Sequence, residues 1–382
     1  MTGLYIHIPF CESRCIYCGF YSTTSLSLRE SYVDALCKEM TMRNLSAATQ
    51  EKERISTIYL GGGTPSQLSR QQLIRLFEGI ETAYGKTATT ESTTEITMEC
   101  NPDDVTEDFC QTLRQLPINR ISMGAQTFDD SRLRFLHRRH NSREVFSAIE
   151  RLRNIGIHNI SIDLMFGFPN ESLKDWQSDI QQAIQLDIEH ISAYSLMYEE
   201  GTTLYRLREM GKCEEIDEEL SRRMYDTLID QLTATGYEHY EISNFARPGF
   251  RSQHNSSYWH EIPYIGIGAA AHSYQGNRRS WNIADIKQYI QAVQQGKLQS
   301  ESEYLDLDTR YNDLITTALR TCDGINLENM KQKYGPVLYN QLLKDAQPEI
   351  KRGLMKIKDG HLSLTREGLY ISDDIMSNFM II

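Results

Sequence analysis

The chain has 382 residues, 40% of them hydrophobic and 24% charged, with a formal net charge of −12. That length allows one large core and a smaller second unit, and the acidic balance argues against nucleic acid as a partner. No basic segment leads into an apolar one at the N-terminus and no apolar run approaches the ~18 residues of a membrane span, so a cytoplasmic, reducing setting is expected, with peripheral membrane contact left open.

Taken in chain order, a short alternating apolar run from Leu4 to Ile8 predicts a strand, closed by Pro9 and Phe10. The loop that leaves it carries Cys11, Cys15 and Cys18 in C-x3-C-x2-C spacing. A helix is predicted over 29–43, a strand over Ile55 to Leu60 running into Gly61-Gly62-Gly63-Thr64-Pro65, and a helix over about 69–83. Strands follow at Glu95 to Glu99, Arg120 to Gly124, Asn159 to Phe166 and His190 to Met197, separated by helices over about 106–116, 143–155 and 172–186. Gly156 is a candidate left-handed cap for the second of these helices. Sixfold strand–helix alternation predicts an α/β fold with a parallel sheet, most simply an open (β/α)6 partial TIM barrel.

A further helix is predicted over 217–235, ended by Gly236, and an irregular glycine- and aromatic-rich region runs to about 275. Residues 1–275 are thus assigned to the barrel and its extension. The Gln-, Ser- and Glu-rich stretch 276–305 is read as a connector with one helix, Ile283 to Gln295. Residues 306–382 form a small α+β, winged-helix-like unit. It has helices over 309–322, 326–333 and 336–352, then a hairpin of Leu354–Lys358 and His361–Leu364 turning at Asp359-Gly360, and a last helix. Over 305–382 ten Lys/Arg face eleven Asp/Glu. The basic footprint of a DNA-binding winged helix is therefore missing, and a structural or substrate-covering role is favoured.

Three thiolates within eight residues suit an iron–sulfur cluster, because cysteine sulfur is a soft ligand matched to iron. A [4Fe–4S] cluster on three cysteines keeps one iron open to a small molecule. A structural zinc site wants a fourth ligand and usually a second cysteine pair, and the chain has no second C-x2-C. His7 is a conceivable fourth ligand but lies within the predicted strand; unrelated thiols are the remaining alternative. Cys37, Cys100, Cys110, Cys213 and Cys322 are scattered without disulfide spacing. The cysteine loop, Gly61–Thr64, Glu99, Gln126 and Asp163 all fall at or near C-terminal ends of successive predicted strands, the end that carries chemistry in α/β barrels. The glycine run permits close backbone approach to a ligand, a tight turn being its plainer reading. It is not a phosphate loop, since no Gly-Lys-Ser/Thr follows.

C-x3-C-x2-C with Tyr17 before the last cysteine resembles the signature of the radical S-adenosylmethionine (SAM) superfamily. Leu4-Tyr5-Ile6-His7-Ile8-Pro9-Phe10-Cys11 is similar to the oxygen-independent coproporphyrinogen III oxidase family. The resemblance implies a [4Fe–4S] cluster on Cys11, Cys15 and Cys18, with SAM on the open iron, cleaved by a cluster electron to a 5′-deoxyadenosyl radical. It also implies that Gly62, Gly63 and Thr64 contact the SAM amino group. Tyr5, Glu99 of Met-Glu-Cys-Asn-Pro, Gln126 of Gly-Ala-Gln, Arg138 of His-Arg-Arg-His and Asp163 of Ile-Asp-Leu-Met-Phe-Gly-Phe-Pro match the family's SAM-site elements. A barrel-rim hydrogen bond without ligand contact is the alternative for each. The chemistry is coherent: carboxylates suit ribose hydroxyls or an ammonium, and Arg138 suits a carboxylate.

The oxidases carry one more cysteine two positions after the third and a long N-terminal extension. Here that position is Phe20, and only ten residues precede Cys11. Both features resemble the family's haem-chaperone branch. His254-Asn255-Ser-Ser-Tyr258-Trp259 matches the H-N-x-x-Y-W element of that branch, which implies His254 as a haem ligand; a loop-capping histidine is the alternative. Gly19, where many relatives have aspartate, and the alanine-rich Gly266–His272 segment depart from the pattern and touch only the haem-site detail. The expected function is a haem carrier that delivers haem to haem-requiring apoproteins, with an electron donor that the sequence does not identify and a homodimer left open. The second reading is oxidative decarboxylation of coproporphyrinogen III, and the third a haem or redox sensor.

Overall fold

Period-two alternation dictates the centre of the molecule. The computed structural model describes residues 2–46, 54–91 and 94–381. Six strands lie side by side and parallel in sequence order: β1 (Thr2–Ile8), β2 (Ile55–Gly62), β3 (Glu95–Cys100), β4 (Arg120–Gln126), β5 (Asn159–Phe166) and β6 (His190–Ser195). Alternate side chains face opposite ways. Register sets aliphatic against aliphatic, as in Leu4 opposite Ile58 and Ile121 opposite Ile160, and polar against polar, as in Glu99 opposite Ser122 and Asp163 opposite Ser192. The aliphatic set joins the main core, and the polar set lines an interior cavity.

Helices cover the aliphatic face. Leu73, Leu76, Phe77 and Ile80, spaced by three and four, bury one side of helix Arg70–Tyr84. The fully buried Trp176 of helix Leu173–Gln185 donates its indole N–H to Met224 O of helix Glu218–Ala234 at 2.9 Å. Capping boxes at Ser69, Asn141 and Ser172 start three of the helices. Gly156, at φ 90°, ends helix Ser142–Asn154 as the sequence suggests, with Ile157 N–H bonding Leu152 O at 3.0 Å and Gly156 N–H bonding Arg153 O at 2.9 Å.

Two sequence expectations change here. The region read as irregular supplies β7 (Glu238–Glu241), β8 (Asn244–Ala246), β9 (Tyr264–Ile267) and β10 (His272–Tyr274). The stretch read as a connector supplies β11 (Arg278–Asn282) and β12 (Ser300–Tyr304), on either side of helix Ile286–Gln294. All join one twelve-stranded mixed sheet in the order β12-β11-β10-β9-β1-β2-β3-β4-β5-β6-β8-β7. β9 lies parallel to β1, the other additions are antiparallel, and the end strands β12 and β7 do not meet, so the barrel stays open. These strands are too short, or in β12 too exposed, to carry a hydrophobic period.

The C-terminal unit has its own core around Tyr311, Ile315, Leu342, Leu362 and Phe379. Helix Leu307–Ala318 precedes β13 (Ile325–Asn326) and a helical stretch Leu327–Lys351 that is broken at Gly335, just before Pro336. The hairpin β14 (Met355–Lys358) and β15 (His361–Leu364) turns at Asp359 and Gly360, both left-handed as an Asp-Gly turn requires. β13 adds a third strand beside β15. The unit docks on the barrel through Arg320–Glu241 (2.8 Å), Arg251–Asp323 (3.1 Å) and Lys333–Glu261 (2.8 Å). Among the described residues no helix is long and apolar enough to cross a membrane.

If the aliphatic face carries the stability, Ile162→Ala, which empties a fully buried outward position, will cost about 2–5 kcal/mol. Ser122→Ala on the cavity face will stay within about 1 kcal/mol. Denaturant unfolding of the cluster-free protein reads both, and equal losses would contradict this division of the sheet.

Candidate cofactor site

The cysteine loop leaves the C-terminal end of β1 and is tied down on both flanks. Cys11 N–H donates to Thr23 O (3.0 Å), Thr23 N–H to Pro9 O (2.7 Å), Ile16 N–H to Leu136 O (3.2 Å) and Leu204 N–H to Ile16 O (2.9 Å). Arg139 pairs with Glu12 of the loop and with Asp103 (2.8 Å) and Asp104 (2.7 Å) beyond β3. Cys11, Cys15 and Cys18 are free, half-buried and line one cavity of about 670 Å³. The Thr64 hydroxyl donates to Cys11 Sγ and Arg138 Nη1 to Cys15 Sγ, each at 3.5 Å. Burial pushes the Cys11 and Cys18 thiols up, so they stay protonated until a metal displaces the proton.

Among the described residues no three His, Cys, Asp or Glu side chains converge on a single ion. A cubane asks for a different arrangement, one thiolate on each of three irons. Three separate soft donors on one cavity wall fit it. His7 is not a fourth donor: its Nδ1 bonds Tyr5 OH and its Nε2 bonds Tyr21 O, both at 3.0 Å, and burial lowers its pKa to about 4.

Tyr5, Tyr17, Gly62, Gly63, Thr64, Glu99, Gln126, Arg138 and Asp163 all line the same cavity as the cysteines. The glycines are dictated by the protein's own packing. Gly62 has φ 103°, and a Cβ there would run into the His7 ring; a Cβ on Gly63 would lie 2.7 Å from Ile8 O. Gly62 N–H instead donates to Glu99 Oε2 at 3.0 Å, while Tyr59 OH donates to Glu99 Oε1 at 2.8 Å. Burial, and secondarily the charge of Asp163, raise Glu99 to about 7. Burial raises Asp163 to about 6, against the opposing pull of Arg120 and Arg138. Two buried carboxyls facing a cavity with no cation bonded to either will ionise when a cationic or hydroxyl-bearing ligand arrives. Arg138 donates through Nη2 to Asn101 Oδ1 and Gly124 O, both at 2.6 Å, joining the ends of β3 and β4 to the cysteine loop. Gln126 reaches the wall from a left-handed residue, φ 69°, at a register shift in β4.

His254 is the exception. It is 1% exposed and lies behind Tyr5 and Tyr59, off the cavity wall. Its Nδ1 bonds Thr57 Oγ1 and its Nε2 bonds Tyr258 OH, both at 2.9 Å, and burial lowers its pKa to about 3. In this conformation neither ring nitrogen is free for a metal, because the helix Gln253–Trp259 inserts into the barrel floor; its neighbour Asn255 reaches the cavity instead. His140 is likewise internal, bonded to Ala125 O at 3.1 Å, and His272 stacks on Trp281. Sequence reasoning missed Tyr59, Asn101, Ser122 and Ser192 on the wall. Each lies two residues, or one strand register, from a residue it found, so period-two counting would have reached them.

Groups raised on folding hold protons that the unfolded chain has released. Glu99 and Asp163 therefore stabilise the ligand-free protein at low pH, and that contribution is lost as pH rises through about 6 to 7. The unfolding midpoint of cluster-free protein will fall over that window more steeply in the wild type than in Glu99→Gln. Parallel pH profiles would show that Glu99 is not the group responsible.

Comparison with known proteins places this site in a family. Residues 5–183 match the model of the radical SAM superfamily, and residues 305–371 match the HemN C-terminal domain. A Bacillus subtilis protein named "Heme chaperone HemW" is 35% identical over 100% of this chain and 99% of its own length. One of the same name from Lactococcus lactis is 32% identical over 100% of this chain and 97% of its own. Among solved structures, coproporphyrinogen III oxidase (HemN) from Escherichia coli superposes with a TM-score of 0.83 over 99% of this chain and 89% of that one; at 23% identity the likeness is one of fold. Radical SAM membership implies a [4Fe–4S] cluster and SAM as cofactors. The fold, the cavity and the full-length relatives agree: the chain belongs to the HemW family of radical SAM proteins.

Proposed function

We propose that this protein is a haem chaperone that binds haem and passes it to haem-requiring apoproteins, on a scaffold that also holds a [4Fe–4S] cluster and SAM. The observation that carries the reading is Phe20, an exposed apolar side chain on the cavity wall where the oxidase pattern has another thiol. The full-length relatives named haem chaperones support it. The likeness to the oxidase is one of fold, and decarboxylation of coproporphyrinogen III gains nothing further from it.

In this reading Cys11, Cys15 and Cys18 hold the cluster, leaving one iron without a protein ligand. Gly62, Gly63 and Thr64 offer backbone and hydroxyl groups to SAM. Glu99 and Asp163 accept from its ammonium or ribose hydroxyls, Arg138 receives its carboxylate, and Tyr5, Tyr17 and Gln126 complete the wall. Cluster and SAM together supply one-electron chemistry when bound; the chain binds, orients and keeps water out. His254 would ligate haem only after releasing Thr57 and Tyr258.

Replacing Cys11, Cys15 or Cys18 singly with alanine will abolish the visible iron–sulfur absorbance after anaerobic reconstitution. The reconstituted wild type, given SAM, a reductant and coproporphyrinogen III, will form no protoporphyrinogen, yet will take up haem and yield it to an apo-globin. Multiple-turnover protoporphyrinogen formation would replace the chaperone reading with the oxidase.

A further inference from the structure

We propose that an iron-bearing tetrapyrrole seats across the cavity mouth with His137 as axial ligand, its flat face against Phe20, Tyr194 and Met197 and its carboxylates on Arg14 and Arg206. The inference rests on the haem-carrier reading and gives that ligand a place.

His137 is the one imidazole on the cavity wall among the described residues. It is exposed, and among those residues no hydrogen bond or ion pair engages its ring. Its backbone sits at φ 60° because it ends the helix Asp130–Phe135: His137 N–H reaches Arg134 O at 3.1 Å and Arg138 N–H reaches Leu133 O at 2.9 Å. It borders both the main cavity and an adjoining one of about 250 Å³, which it shares with Arg14, Cys15, Cys18 and Arg206. Neutral imidazole is a standard axial ligand for haem iron.

The other two requirements of such a ligand are met beside it. Phe20 is 72% exposed, Met197 59% and Tyr194 40%, and all three line the same cavity. Large exposed apolar side chains on the wall of one cavity offer surface to a flat apolar macrocycle. Arg14 and Arg206 are exposed, and neither pairs with a carboxylate among the described residues, although the chain as a whole is acidic and Arg132, Arg139, Arg208 and Arg320 are all paired. Arg14 and His137 line both cavities and Arg206 the smaller one, so unpaired guanidinium groups flank the imidazole and complement a ligand with peripheral carboxylates. A seat at the mouth also leaves one side of the macrocycle open to an accepting protein, which the buried His254 would not.

The test uses full-length, cluster-reconstituted protein titrated anaerobically with ferric haem and, separately, with metal-free protoporphyrin IX. His137→Gly removes the imidazole while relaxing the left-handed backbone, so loss of binding will not be a folding defect. It should weaken ferric haem by about tenfold or more and alter its Soret spectrum, leaving the metal-free porphyrin unaffected. The double variant Arg14→Ala/Arg206→Ala, checked for unchanged iron content because Arg14 lies between cluster cysteines, should weaken both ligands by about tenfold. Wild-type haem affinity and spectrum in His137→Gly would overturn the seat, as would loss of binding in His254→Ala alone. A wild type that takes up no haem would remove the carrier reading itself, and this seat with it.

Discussion

The structure depends on a sheet whose inner face cannot pack dry. Glu95, Glu99, Arg120, Asp163 and His190 all sit on it, with hydroxyls between them. Arg120 is 1% exposed with its Nε unpaired, and the Thr97 hydroxyl is also without a partner. Unpaired polar groups in a dry interior cost several kcal/mol, roughly, so this face must meet partners, water or a ligand. Stability is therefore drawn from the outward aliphatic face and its helices, and the interior is left for binding. The charges are balanced within it: the Arg120 guanidinium restrains the upward shift of Asp163 and helps keep His190 and His254 neutral.

Parallel strands in sequence order then make the site's construction simple. Because β1 to β5 are neighbours in that same order, the cysteine loop, the glycine run, Glu99, Gly124 with Gln126, and Asp163 are laid side by side along one rim. Cross-rim contacts convert that row into a unit. Gly63 N–H reaches Ile8 O at 3.0 Å and Thr64 N–H reaches Phe10 O at 2.8 Å, so the glycine run is fixed to the start of the cysteine loop. Arg138 touches Cys15, Asn101 and Gly124 together, and Arg139 binds the same loop from its outer side. A side chain in either glycine would separate these pieces before any ligand entered.

What could be read in the sequence was what repeats or bonds locally. The six parallel strands showed because their aliphatic faces are buried by helices, giving a period-two signal from Leu4 through Ile191. The helix ends showed because Ser69, Asn141, Ser172 and Gly156 act within a few residues of themselves. β7 to β12 did not show, since strands of three to five residues are too short to carry a period, and Ser300–Tyr304 is exposed throughout. The inward placement of His254 did not show for a different reason. A motif names the residues but not the face of the short helix that carries them, and that face was set by Thr57, Tyr258 and Glu95, all remote in sequence or in the next turn. His137 carried no signal, because a single histidine just past a helix end has no sequence period.

The same helix explains what the C-terminal unit does for the barrel. Gln253 and His254 donate their backbone N–H groups to Glu95 at 3.0 Å each, at the start of β3, so the helix closes the barrel at the end opposite the cysteine loop. Just outside its two ends, Arg251 binds Asp323 and Glu261 binds Lys333 and Tyr334. The C-terminal unit thus clamps the barrel floor, and no residue beyond 305 lines the cavity among those described. Of the two roles its charge balance left open, this placement favours the structural one over covering a substrate. Any ligand at the mouth is then met by the barrel alone, and the ionic clamp acts on binding only by keeping the floor beneath Tyr5 and Tyr59 in place.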